Sequence, residues 1–277
     1  MSLKMLITAT VIISLFLSSC QKEKVTTVVK DKPVSIVNSA ASIQQIINRT
    51  EMIFAVLNNG NLSFKNEITN SILSCATIST DSSAMPRVTV IDYGTGCVGD
   101  DGITRKGKVV IAFDGDYREA GVSVITTFSH YYENDDQITG SDTLRNIGLN
   151  GSGNVTLSFS QNYDILLANN GGTEKIVFTG TREWLTGVST ETIDDDQYGL
   201  NLTGYVTIPN EPLRTFTSTT PIIFDKTPGC SAFAVKGTVL CHPASGFDFI
   251  FDYGSGTCDD LVDVTENGIT TTYSMVP

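Results

Sequence analysis

Two histidines, His130 and His242, are the only imidazoles in 277 residues. A Ser-His-Asp hydrolase would have to run through one of them. His130 stands beside Tyr131 and Tyr132, and His242 immediately precedes Pro243. Neither adjoins a Gly-x-Ser-x-Gly turn, and the chain contains no His-Glu-x-x-His and no phosphate-binding loop. Cys241-His242 lacks the second ligand pair that a metal site needs. Carboxylates are the remaining chemistry. A glycosidase requires only two of them and leaves no local motif, and Asp92, Asp116, Glu183 and Asp252 occupy suitable strand positions. Asp114-Gly115-Asp116-Tyr117-Arg118-Glu119 begins like a calcium loop. It then places Arg118 where a ligand belongs and Glu119 where the loop needs glycine. Asp194-Asp195-Asp196 is a second acidic turn. For binding rather than catalysis, Trp184 is the only tryptophan, and Arg182 shares its strand face. That pair suits a sugar or peptide ligand. Tyr117 and Arg118 form the other polar-aromatic cluster, expected at the surface. The expectation is therefore no catalytic residue, no metal and no cofactor, with Trp184, Arg182, Tyr117 and Arg118 as the candidate ligand site. A two-carboxylate carbohydrate-active enzyme and a calcium-dependent adhesin are the alternatives.

The elements that must position these residues are marked by a repeated turn. Asp252-Tyr253-Gly254-Ser255-Gly256-Thr257-Cys258 echoes Asp92-Tyr93-Gly94-Thr95-Gly96-Cys97. Each copy follows an apolar run and an earlier cysteine, Cys75 or Cys230. The glycines allow the backbone a positive φ where a strand ends. Bracketing of one such strand by each pair predicts disulfides Cys75–Cys97 and Cys230–Cys258, leaving Cys241 over. Cys230–Cys241 is the alternative. The absence of any Cys-x-x-Cys argues against zinc.

The N-terminus speaks to location. Lys4 precedes an apolar stretch, Leu6 to Leu17, too short for a stable bilayer span. Leu17-Ser18-Ser19-Cys20 follows, the arrangement of a signal peptide over 1–19 whose cut falls at a cysteine. It resembles the bacterial lipobox, in which that cysteine is lipidated and becomes the first mature residue. Of 277 residues, 258 then remain, and loss of Lys4 moves the formal charge from −12 to −13. Such acidity excludes nucleic acid as a partner, because binding needs a basic patch. Membrane attachment must come from the lipid.

Residues 20–37 read as a tether and 38–277 as one domain. Ile43, Ile46, Ile47, Ile53 and Leu57 recur at helical spacing, which predicts a helix over 40–58 packed against that domain. From Ile72 onward Thr, Val, Ile, Phe and Tyr dominate, and turn residues recur every 8–12 positions or so. Thirteen strands are expected: 72–79, 87–93, 106–114, 121–132, 137–147, 153–163, 173–184, 197–208, 220–226, 231–240, 246–253, 259–266 and 269–276. Short connections imply antiparallel neighbours. The expected fold is all-β, mainly an antiparallel meander, either a curled sheet or a two-sheet sandwich. Pro209, Pro212, Pro221 and Pro228 are expected to interrupt that meander.

The lipobox, Cys75, Asp92-Tyr93-Gly94, Gly107-Lys108-Val109-Val110-Ile111, Tyr117-Arg118, Thr181-Arg182-Glu183-Trp184 and the Asp252 to Cys258 turn together resemble a group of uncharacterised lipoproteins of Bacteroidota. The resemblance covers most of the mature chain and brings no activity. It implies a lipid-anchored protein of the outer membrane, on the periplasmic or the cell-surface side. Its ligand would be a glycan or an envelope protein. Asp142-Thr143-Leu144 is similar to that phylum's short O-glycosylation motif, which makes Thr143 a candidate modification site.

Overall fold

The computed structural model describes residues 28–29, 72–83, 85–190, 194–230 and 233–275. The signal segment, Cys20 and the helix expected over 40–58 lie outside these residues. The described elements are strands: β1 (Val28–Val29), β2 (Thr77–Asp81), β3 (Arg87–Asp92), β4 (Cys97–Val98), β5 (Thr104–Phe113), β6 (Ser123–Glu133), β7 (Asp136–Leu149), β8 (Val155–Leu167), β9 (Gly172–Thr186), β10 (Gln197–Thr207), β11 (Arg214–Asp225), β12 (Ala234–Pro243), β13 (Phe249–Ser255), β14 (Leu261–Glu266) and β15 (Ile269–Ser274). A 3-10 turn at Ala168–Asn170 joins β8 to β9. Each of the thirteen strands expected from sequence has its counterpart, with ends displaced by several residues and β11 starting well ahead of the expected 220.

All strands belong to one sheet, in the order β1-β15-β14-β13-β12-β11-β10-β9-β8-β7-β6-β5-β3-β2, with β4 paired to β5. From β2 to β15 every pairing is antiparallel between neighbours in that order. The sheet is open, since its ends β2 and β1 do not pair. This decides for one continuous sheet over two packed sheets. It also corrects the expected proline interruption. Pro209 and Pro212 sit in the β10–β11 turn, and Pro228 sits in the β11–β12 loop. Pro221 lies inside β11 where the pairing with β12 steps irregularly from Thr220 to Ile223. Proline lacks the N–H that a regular ladder needs, so an irregular step accommodates it. Within the expected tether, Val28–Val29 pairs parallel with Thr272 and Tyr273 of β15.

Alternation places one side of each strand in the core. In β9 the buried set includes Ile176, Phe178, Arg182 and Trp184; in β8 it is Leu157, Phe159, Gln161, Tyr163 and Ile165. These faces merge into one apolar cluster from Ile72 to Tyr273. The opposite face is rich in hydroxyls. One row crosses it from Thr143 through Ser160, Thr179 and Thr203 to Thr217. Thr203 and Thr217 are 3.3 Å apart at their hydroxyls, and Thr265 and Thr270 are 2.8 Å apart.

Both repeats of the Asp-Tyr-Gly turn have the same local geometry. The N–H of Gly94 donates to Asp92 Oδ1 at 2.8 Å, and that of Gly254 to Asp252 Oδ1 at 2.9 Å. Gly94 and Gly254 adopt φ 60° and 86°. Tyr93 and Tyr253 point into the core at 3% and 7% exposure. The disulfides are Cys75–Cys97, Cα atoms 6.0 Å apart, and Cys230–Cys258, 4.8 Å apart. Both separations fall within the span of a disulfide. Each pair closes a loop of 22 or 28 residue steps, which stabilises by about 3 kcal/mol in the chain-entropy account. Cys241 lies in neither bridge and is buried.

His130 is the one residue of β6 with a positive φ. Its φ is 48°, and the β5–β6 pairing shifts between Lys106 and Lys108 to accommodate it. Opposite this bulge, Gly107 has φ 83°, and a Cβ there would lie 1.8 Å from the His130 carbonyl oxygen. Gly107→Ala is therefore expected to destabilise the fold by about 2 kcal/mol or more, measured by chemical denaturation. Gly102→Ala, at a turn with open space around it, should cost clearly less. Equal costs would contradict this account of the bulge.

Candidate functional site

The four residues singled out for binding come from two distant parts of the chain. Arg182 and Trp184 sit at the C-terminal end of β9, and Tyr117 and Arg118 sit in the β5–β6 turn. That turn folds over the buried face. Asn146 of β7 holds it in place, donating from Nδ2 to the Tyr117 carbonyl at 3.0 Å and accepting the Gly121 N–H at 2.8 Å through its backbone oxygen. Asp116 caps the turn by accepting the Arg118 N–H at 2.9 Å.

The Tyr117 ring thereby stacks on Trp184, 6.3 Å between centroids and 7° from parallel. Trp184 meets Tyr198 of β10 at 5.5 Å. The Arg118 guanidinium lies 5.4 Å from the Trp184 ring and 5.7 Å from that of Tyr117. Arg182 lies 3.7 Å over Tyr198. So the structure brings all four together, but the rings are interior: Trp184 is 3% exposed and Tyr117 5%. The expected surface position of Tyr117 is corrected, because the turn that carries it folds inward.

Two further members are Tyr198, not singled out from sequence, and Asp196, noted there only as part of an acidic turn. Asp196 is 1% exposed. Its Oδ1 accepts the Trp184 Nε1–H at 3.0 Å and its Oδ2 the Tyr198 hydroxyl at 2.5 Å. The side chain fixes the plane of both rings, so it is a positioning group. In the sequence it reads as the third acid of a solvated turn. The only hint is parity: Asp196 keeps step with Tyr198, Leu200 and Leu202, the inward residues of β10. Burial raises the Asp196 pKa, and the hydrogen bonds from Tyr198 and Trp184 offset this only in part. Tyr117 is also raised, by burial first, against the nearby Arg118.

The remaining candidates are scattered. Glu183 accepts from Asn150 Nδ2 at 2.6 Å and Asn154 Nδ2 at 2.8 Å, which clamps the β7–β8 turn to β9. Asp92 pairs with Lys108 at 2.9 Å, and this contact with the Gly94 N–H holds its carboxyl below the ordinary range. Asp252 serves its own turn. Asp195 accepts the Thr190 hydroxyl at 2.9 Å, and Asp114 accepts the Ser123 N–H at 2.9 Å. Among the described residues no three His, Cys, Asp or Glu side chains group as a metal site would require. His242 Nδ1 contacts Asp248 at 2.5 Å, both exposed, and lies far along the sheet from Asp196. Thr143 lies on the hydroxyl face of β7, while Asp142 and Leu144 on either side of it are buried. Asp142 accepts from Gln161 Nε2 at 2.9 Å and Tyr163 at 3.0 Å.

No known protein family, curated protein or solved structure matches this chain.

Because burial favours the protonated form of Asp196, its contribution to stability is fullest at low pH and is lost as pH rises through its elevated pKa. The difference in melting temperature between the native protein and Asp196→Asn is thus expected to favour the native protein more at pH 5 than at pH 7. A larger advantage at pH 7 would overturn the burial argument. Trp184→Ala removes a fully packed ring and should cost about 3–5 kcal/mol, measured by denaturant unfolding.

Proposed function

We propose that the chain is a non-catalytic lipoprotein of the cell envelope, anchored in the outer membrane through lipid on Cys20, that serves as a binding or structural module. The observation that carries this reading is the pair of disulfides, Cys75–Cys97 and Cys230–Cys258. Such bridges persist in oxidising compartments, outside the cytoplasm. Together with the lipobox and the resemblance to Bacteroidota lipoproteins, they support an extracytoplasmic, membrane-anchored domain. The carboxylates that a carbohydrate-active enzyme would employ serve turns and ion pairs at separate places on the sheet. A glycan or an envelope protein is the proposed ligand, and Thr143 the proposed glycosylated residue. Loss of the glycan-dependent mass on Thr143→Ala would test the latter, and an unchanged mass would refute it.

The same proposal includes a helix over 40–58 packed on the sheet's buried face. Val29 pairs at one edge of the open sheet, and Ile72 leads into β2 at the other. The chain between them must pass from edge to edge, and its isoleucines need a surface to cover. Ile46→Asp, Ile47→Asp and Ile53→Asp should each lower the midpoint of chemical unfolding, and an unchanged midpoint in all three would remove the packing.

Cys20→Ser is expected to move the protein from the membrane fraction to the soluble envelope fraction. Retention of the variant in the membrane at the native level would sink the anchoring proposal.

A further inference from the structure

We infer that one end of the sheet, formed by the turns β8–β9, β10–β11, β12–β13 and β14–β15, rests on the lipid surface with apolar side chains in contact with it. The inference rests on the lipid anchor proposed for Cys20 and adds an orientation and a contact surface to it.

The direction of β1 decides which end. β1 runs parallel to β15, with Val28 opposite Thr272 and Val29 opposite Tyr273. β15 begins at Ile269, immediately after the β14–β15 turn, and runs away from that turn. β1 therefore also runs away from it, and the chain from Cys20 arrives from the side of that turn. The registers Glu266–Ile269, Phe249–Glu266, Cys241–Phe249 and Arg214–Pro243 place the β12–β13 and β10–β11 turns at this same end. Leu166–Thr173 and Thr207–Lys175 add the β8–β9 turn.

The tether is short. Eight residue steps separate Cys20 from Val28, about 27 Å fully extended. Val28 lies level with Thr272, three residues beyond Ile269, which takes back about 10 Å. The acylated cysteine thus reaches only about 17 Å past the turns, so the domain cannot move far from the bilayer.

These turns carry the right chemistry. Ile269 is 70% exposed, Phe247 57%, Leu166 52% and Leu213 40%. Glu211 is paired with Arg214 and Asp248 with His242, Glu266 flanks the β14–β15 turn, and the acidic β6–β7 turn lies further along the same end. The row of exposed apolar tips between them fits the interface of a zwitterionic bilayer. Ile147, Leu149 and Val188 are also exposed, but their turns lie at the opposite end. The chain direction, and not apolarity alone, separates the two ends.

The test uses the lipidated full-length protein in phosphatidylcholine vesicles. Phe247→Cys, Ile269→Cys and Leu149→Cys are each labelled with an environment-sensitive fluorophore. Of the native cysteines described, four are bridged, and Cys241 is buried. Lipid-borne quenchers should quench strongly at 247 and 269, and not at 149. Quenching that is equal at all three positions, or stronger at 149, overturns the orientation. If the protein floats with the vesicles but 247 and 269 remain unquenched, the contact fails while the anchor stands. If the protein does not float, the anchor fails and this inference falls with it.

Discussion

The structure depends on an unbroken antiparallel backbone ladder from β2 to β15. Each interior strand satisfies its N–H and C=O groups with two neighbours, so no strand is dispensable. One face of this ladder collects nearly all the large apolar side chains, and it makes a single cluster. Local turns keep the ladder in register. Asn267 and Gly268, φ 49° and 77°, and Asn134 and Asp135, φ 47° and 72°, are two-residue connections with both residues at positive φ. That twist matches the strands they join.

An open sheet has two edges to protect. At one, the Cys75–Cys97 bridge ties the entry to β2 to the turn after β3. Near the other, Cys230–Cys258 joins the β11–β12 loop to the β13–β14 loop, and β1 lies along β15. The same chain that carries the proposed lipid thus covers the exposed edge. Protection of the edge and the proposed placement at a membrane would both follow from one pairing.

The interior is not purely apolar. Asp196 with Trp184 and Tyr198, and Asp142 with Gln161 and Tyr163, are buried polar groups that share hydrogen bonds between adjacent strands. Arg105 is held by Asp101 and lies 3.5 Å from Glu133. Left unpaired, such groups would cost more than they contribute. Paired, they fix which strand lies beside which. The aromatic and arginine residues that look like a ligand platform in sequence are part of this framework.

The sequence by itself determined thirteen of the fifteen strands, their antiparallel order, the shared face of Arg182 and Trp184 on β9 and the two disulfide pairings. All of these depend on period-two alternation, short turns and local spacing, which a linear chain displays. Only the tertiary structure decided that the sheet stays single through the proline-rich stretch, because an irregular step in the pairing tolerates Pro221. Only it brought Tyr117 onto Trp184, since that contact spans the strands β6 to β8 and depends on how the β5–β6 turn folds over the sheet. Asp196 shows the same limit. Whether an acid in a turn faces water or an indole N–H is set by the neighbouring strand, and that neighbour is chosen by folding, not by the residues beside it.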